Sequence, residues 1–383
     1  MIKKRIIIIR NANSFDFGGG ERYPVFLAKE LVKQGFDPLI VSRSSRLIDF
    51  AQNNNINTTR GWWWARQNWN GKFALLFPVY FFWQIILTFW YVGLFVHKKP
   101  NLIHIQSKDD FIAATWAGKI LGKKIVWTDH ADLKHIWQNI GIWYKNPVGK
   151  LVHWSAQFTS TIMTISNSEL SLINANLKSK DPIRKKMVVI YNGVNDDASS
   201  YHEKSNKNFT YCVVSRLVTD KGISEVIEAF SHLTFIYPDD QLVIVGDGPE
   251  SKKFETQASQ VPNIKLLGYQ KDPLEYIAKC DVFVHPTYHE GFGISLIEAS
   301  MFGRPIIASS VGGIVEIITD RKNGLLVKEK NVNSLQNAMK LLRDSETLRK
   351  KLGKEARSQY KQRFQFDQIV KGKIIPIYQR GQK

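Results

Sequence analysis

Residues 285–300 read His285-Pro286-Thr287-Tyr288-His289-Glu290-Gly291-Phe292-Gly293-Ile294-Ser295-Leu296-Ile297-Glu298-Ala299-Ser300. The apolar run Val282 to Val284 leads in and predicts a buried parallel strand. Pro286, Gly291 and Gly293 then mark a turn, after which Ile294, Leu296, Ile297 and Met301 recur at helical spacing. The order is strand, glycine-containing loop, helix. Such a loop aims the free N–H groups of a helix N-terminus into a crevice, which suits a phosphate. Two carboxylates bracket the loop. Glu290 lies just before the phosphate position. Glu298 lies more than a turn inside the helix, where it can accept hydrogen bonds from a sugar diol.

Glu290 and Glu298 stand eight residues apart, with the glycines between them and His285-Pro286 ahead. This pattern resembles the E-x7-E signature of the retaining nucleotide-sugar glycosyltransferases of family 4. The resemblance implies an α/β fold of the GT-B type, two Rossmann-like lobes facing each other across a cleft. It also implies that Glu290 holds sugar hydroxyls and that Glu298 holds the ribose of the donor.

A chain of 383 residues has room for two domains of about 190 residues. An apolar content of 44% is ample for packed cores. Cys212 and Cys280 lack metal-ligand spacing and sit near predicted buried strands, so they are expected as small core residues in a reduced compartment. Ile6 to Ile9 is too short for the apolar core of a signal peptide and suits a first strand. The net charge of +19 admits nucleic acid or anionic lipid as a partner. No module interleaves basic and aromatic residues as nucleic-acid binding requires, so no nucleic acid partner is expected.

The expected first lobe spans residues 1–192. After the strand Ile6 to Ile9 comes Phe17-Gly18-Gly19-Gly20-Glu21-Arg22, then a helix through Val25, Leu27, Ala28 and Leu31 that ends at Gly35. The glycines let backbone approach another molecule closely. By the resemblance, Gly18 and Gly19 lie against the donor diphosphate. Leu39 to Val41 is a second strand, and Asn53 to Arg60 reads as a polar loop.

Residues 61–99 are an aromatic region that includes Trp62, Trp63, Trp64 and Trp69, with a nearly continuous apolar segment over 73–96. By length alone it could span a bilayer, for which about 20 apolar residues suffice. Pro78, Gln84 and Gly93 interrupt it, and the strands on both sides must share one sheet. The expectation is a monotopic element on an anionic membrane surface, with Arg60, Arg66, Lys72, Lys98 and Lys99 meeting lipid. A helix buried in the first lobe is the alternative.

His130 follows the strand Lys124 to Thr128, a position where open α/β sheets build sites. By the resemblance it lies near the donor sugar, to bond a hydroxyl or spread developing charge. Asp129 and Asp132 stay open as acceptor contacts. Ser166 with Glu169 forms a capping box. Asn195 to Asn208 reads as the linker.

The expected second lobe spans 209–363, and 364–383 is expected to cross back to the first. Arg216 and Lys221, five apart in a strand-to-helix loop, can place two cations on one diphosphate. The donor clamp is then Gly18, Gly19, Arg216, Lys221 and the amides of Phe292, Gly293 and Ile294, with Glu298 on the ribose. His130 and Glu290 are the candidate catalytic residues. No Asp-x-Asp motif is present, so no metal or other cofactor is expected.

The implied function is retaining transfer from a nucleotide-sugar, a UDP-sugar in the first instance, to a lipid-linked or glycan acceptor. The expected place is the cytoplasm, peripheral at the inner face of the cell membrane. A sugar-nucleotide epimerase of the same fold is the alternative enzyme. A nucleotide-sugar-binding protein without turnover is the non-catalytic one.

Overall fold

Among the described residues, thirteen short strands, most of them rich in β-branched and aliphatic residues, form two all-parallel sheets. The computed structural model describes residues 3–11, 19–63, 76–141, 146–201 and 208–380. The chain divides into two compact units, Met1–Tyr191 with Val370–Lys383 and Asn192–Ile369.

In the first unit the elements are β1 (Arg5–Ile9), α1 (Gly19–Lys33), β2 (Asp37–Ser42), α2 (Ser45–Asn53), β3 (Asn57–Arg60), α3 (Phe77–Lys98), β4 (Leu102–Ile105), α4 (Ala113–Ile120), β5 (Lys124–Asp129), α5 (Leu133–Ile136), α6 (Pro147–Ala156), β6 (Thr161–Thr164), α7 (Asn167–Ala175) and β7 (Met187–Val189). The strand order is β3-β2-β1-β4-β5-β6-β7. Central strands such as Ile6–Ile9 and Leu102–Ile105 are buried, as expected where helices cover both faces of a parallel sheet. Asn57–Arg60, expected as a loop, is instead the edge strand β3, paired to β2 alone among the described residues. An edge strand tolerates polar residues, so hydrophobic patterning misses it.

The long apolar segment is α3. Tyr80, Gln84, Leu87, Thr88, Tyr91 and Phe95 are its buried residues, and they recur along its whole length. Two polar groups in its middle face inward: Gln84 Oε1 accepts from the Ala113 N–H at 3.2 Å, and the Tyr91 hydroxyl donates to Asp110 Oδ1 at 2.8 Å. The helix joins two strands of one sheet and packs against α4. It therefore lies along the first unit. Of residues 61–75, those from 64 on lie outside the described residues.

The second unit runs β8 (Thr210–Val214), α8 (Ile223–Thr234), β9 (Gln241–Val245), α9 (Ser251–Ala258), β10 (Ile264–Leu266), α10 (Leu274–Lys279), β11 (Val282–His285), α11 (Ile294–Met301), β12 (Ile306–Ser309), α12 (Ile314–Ile317), β13 (Leu325–Val327), α13 (Val332–Asp344), α14 (Glu346–Arg363) and α15 (Phe366–Ile369). Its strand order is β10-β9-β8-β11-β12-β13. The chain then enters the first unit and ends in α16 (Ile375–Gln379). Residues 195–201 of the expected linker group with the second unit, where Asp196 pairs with Arg357 at 2.7 Å. Cys212 and Cys280 are buried free thiols.

Candidate functional site

In an open parallel sheet, a ligand crevice forms where the strand order reverses, outside the C-terminal strand ends. In the second unit that point lies between β8 and β11. The loop after β8 carries Arg216 and Lys221. The loop after β11 carries Glu290 and leads to the head of α11. Arg216, Lys221 and Glu290 thus lie on the two loops that flank the reversal point of its sheet.

Glycines set these loops. Gly222 has φ +67°, and a Cβ there would lie 2.0 Å from the Pro286 carbonyl oxygen. Gly312 has φ +51°, and a Cβ there would lie 2.1 Å from the Glu290 carbonyl oxygen. The Gly313 N–H donates to that same oxygen at 3.1 Å. The Tyr288 N–H donates to the Asp220 carbonyl at 2.7 Å, tying the Lys221 loop to the Glu290 loop. On the other side, Leu217 N–H donates to Asp247 O at 2.9 Å and Glu250 N–H to Leu217 O at 3.2 Å. The Gly246–Glu250 turn therefore braces the Arg216 loop.

Glu290 Oε2 accepts from Lys221 Nζ at 2.9 Å and lies 3.2 Å from His285 Nε2. Burial alone would raise the Glu290 carboxyl. The hydrogen bonds and charges of His285 and Lys221 outweigh that and hold it well below the usual carboxylate range. Glu290 is therefore an ionised acceptor at neutral pH. Lys221, assigned to a diphosphate, spends one of its three protons on Glu290.

His285 is the functional neighbour that sequence reasoning left without a role. Its signal was a polar residue closing an apolar strand, Val282–His285. Phe292 is buried against Phe364, with ring centroids 6.0 Å apart, so only its backbone can serve a ligand. Gly293 caps α11 with φ +103°. Glu298 lies half-buried on the second turn of α11. Arg216 is exposed on its loop.

In the first unit, His130 follows β5 and meets Tyr23 edge-on, with centroids 5.4 Å apart. Its Nε2 is buried and has no hydrogen-bond partner among the described residues. Burial first, then the charges of Arg10 and His104, hold the ring well below the ordinary histidine value. A neutral imidazole can bond a hydroxyl through either ring nitrogen, one of the roles expected of it. Asp129 Oδ1 accepts the N–H groups of Asp132 at 2.8 Å and Leu133 at 3.0 Å, which makes it the cap of α5. Asp132 pairs with Lys108 at 2.9 Å. Ser166 Oγ accepts the Glu169 N–H at 3.0 Å, as a cap should. Gly19 opens α1, while Gly18 lies outside the described residues. Among the described residues, no group of three His, Cys, Asp or Glu side chains is placed to hold a metal ion.

Two Rossmann-like units, one with cations, a carboxylate and a helix head at its strand reversal, fit a glycosyltransferase of the GT-B type. A family model described as glycosyl transferases group 1 matches residues 195–359, and one described as glycosyltransferase family 4 matches residues 17–198. The chain belongs to this family.

An uncharacterized glycosyltransferase of Methanocaldococcus jannaschii is 29% identical over 315 residues, covering 76% of this chain and 86% of the relative. A Campylobacter jejuni N,N'-diacetylbacillosaminyl-diphospho-undecaprenol alpha-1,3-N-acetylgalactosaminyltransferase is 31% identical over 172 residues, 44% of each chain. Among solved structures, Anabaena HepE in complex with UDP superposes with a TM-score of 0.77 at 18% identity, covering 97% of this chain and 99% of that one.

Proposed function

We propose that the protein transfers a hexose from a uridine diphosphate sugar to a lipid-linked or surface-glycan acceptor, with retention of configuration, without a divalent metal, at the cytosolic face of the membrane. One observation carries this reading. Glu290 is held ionised by His285 and Lys221 at the strand-order reversal of the second unit. An ionised acceptor fixed in that crevice is suited to sugar hydroxyls, and the adjacent cations are suited to the diphosphate.

Arg216, Lys221 and the positive end of α11 would stabilise negative charge as the nucleoside diphosphate departs. The departing phosphate oxygen then takes the acceptor's proton on the same face of the sugar, since no side chain is assigned as a nucleophile. His130, neutral, orients a hydroxyl. Support for the donor and acceptor classes is by analogy. HepE binds UDP, and the Campylobacter relative acts on a diphospho-undecaprenol sugar.

The test is sugar transfer by Glu290→Ala and Arg216→Ala. Each is expected to lower kcat/KM by about 100-fold or more, the scale of losing one transition-state contact, with an unchanged circular dichroism spectrum. Full activity in both variants refutes the assignment. Chelator should leave the wild-type rate unchanged. Loss of activity in chelator overturns the metal-free mechanism.

A further inference from the structure

We infer that the outward face of α3 is a lipid-contact surface that lays the first unit against an anionic membrane. This deepens the proposed function by naming the surface that would bring a lipid-linked acceptor within reach.

The polarity of α3 is inverted. Its polar side chains Gln84 and Thr88 are 3% and 5% exposed, Gln84 accepting from the Ala113 N–H and Thr88 donating to the Gln84 carbonyl of its own helix, while Val79, Phe82, Ile86, Phe89 and Val96 are 53–69% exposed. These five, with Gly93, recur every three or four residues and form one stripe, about 25 Å long at 1.5 Å per residue. A water-facing helix shows the opposite pattern. An exposed apolar strip of this size on a soluble unit marks an interaction surface.

The apolar surface continues sideways. Phe81 meets Trp116 at 6.1 Å, and Trp116 meets Trp154 at 5.5 Å, linking α3 through α4 to α6. Trp154 is 48% exposed and Ile120 is 64% exposed. Tryptophan concentrated at such an edge suits the headgroup level of a bilayer.

Charge selects the occupant. From Phe50 to Ser168 the only acidic residues are Asp109, Asp110, Asp129 and Asp132. Asp109, Asp110 and Asp129 are buried, and Asp132 is paired with Lys108. None lies on α3, α4 or α6. Lys99, Lys119 and Lys150 are exposed at the ends of these helices or within them. Two copies of such a face would repel, whereas an anionic leaflet complements it. The packing of α3 along the unit places it in the membrane plane, with no crossing.

The test is co-sedimentation of the full chain with phosphatidylcholine vesicles with and without phosphatidylglycerol. Binding is expected to anionic vesicles, weakened but not lost at high salt. Phe82→Glu with Phe89→Glu, both at exposed positions, should lower the apparent partition coefficient by roughly tenfold or more. Its melting temperature should be unchanged. The milder Phe89→Ser should fall between the two. Undiminished vesicle binding by the double variant overturns the inference. So does a lipid-free dimer in sedimentation velocity that the double variant dissolves, which would give the face to a second copy. Vesicle binding is read without any donor, so protein that binds lipid yet transfers no sugar removes the transferase reading and leaves this one standing.

Discussion

Glu290 and Asp129 are both carboxylates near the C-terminal end of a parallel strand, and their surroundings drive them in opposite directions. Glu290 has two basic neighbours and stays ionised. Asp129 is fully buried, and that burial, with the charge of Asp132, raises its carboxyl to about 7 against the pull of two backbone N–H groups. A carboxyl raised by folding lends stability that is complete below its unfolded value and is lost as the pH rises through about 7. Asp110, likewise raised to about 7 by burial, acts in the same window. Asp129→Asn keeps an Oδ1 for both cap bonds and removes one of these two titrations. Urea unfolding on either side of that pH should show a shallower fall in stability for the variant. Above it, the variant should be more stable by on the order of 1–3 kcal/mol. Parallel pH profiles for the variant and the wild type would contradict this account. The titration was not legible in the sequence, since Asp129 reads equally well as a ligand contact. Only the two cap bonds and the burial show what it does.

At the scale of the element, the Glu290 loop depends on glycines in a neighbouring loop. Gly312→Ala places a methyl where the Glu290 carbonyl now sits and forces a left-handed φ on alanine. The loop must move, and Lys221 and His285 lose their fixed partner. Transfer should fall at least about tenfold, while the melting temperature drops by only a few degrees, as for a cost near 1–2 kcal/mol. Equal activity with normal melting would show that the loop tolerates the shift. The central strands, the glycine loops and α11 were legible because alternation of apolar runs with turn residues is strong in buried parallel units. β3 was not, being polar at an edge. α14 was not either, because its contact face is made of Leu352, Gly353, Ala356 and Tyr360 within a highly charged segment. Gly353 lets that helix close on Gly303, where a Cβ would lie 2.2 Å from the carbonyl oxygen. Small residues bury area without announcing it in the pattern.

Across the whole molecule, the C-terminal segment returns to complete the first unit. Tyr378 Oη lies 2.6 Å from the buried His104 Nδ1, and Lys124 Nζ donates to the Ile377 carbonyl at 2.6 Å and to that of Arg380. Such long-range contacts rest on residues whose types give no sign of their partners, so the sequence supports the return in outline only. The two units carry separable tasks under the proposed function, and hydrogen–deuterium exchange can read both in one chain. UDP should slow exchange in peptides covering 215–222 and 286–296, because the diphosphate engages the cations and the head of α11. It should leave α3 unchanged. Saturation at 100 times the dissociation constant adds about 2.7 kcal/mol to the folded state by mass action, so a rise in melting temperature should accompany the protection. Anionic vesicles should do the reverse, slowing exchange over 77–98 and sparing the second-unit loops. If UDP protected only first-unit peptides, the nucleotide would bind away from Arg216, Lys221 and Glu290, and the donor site would have to be sought elsewhere in the chain.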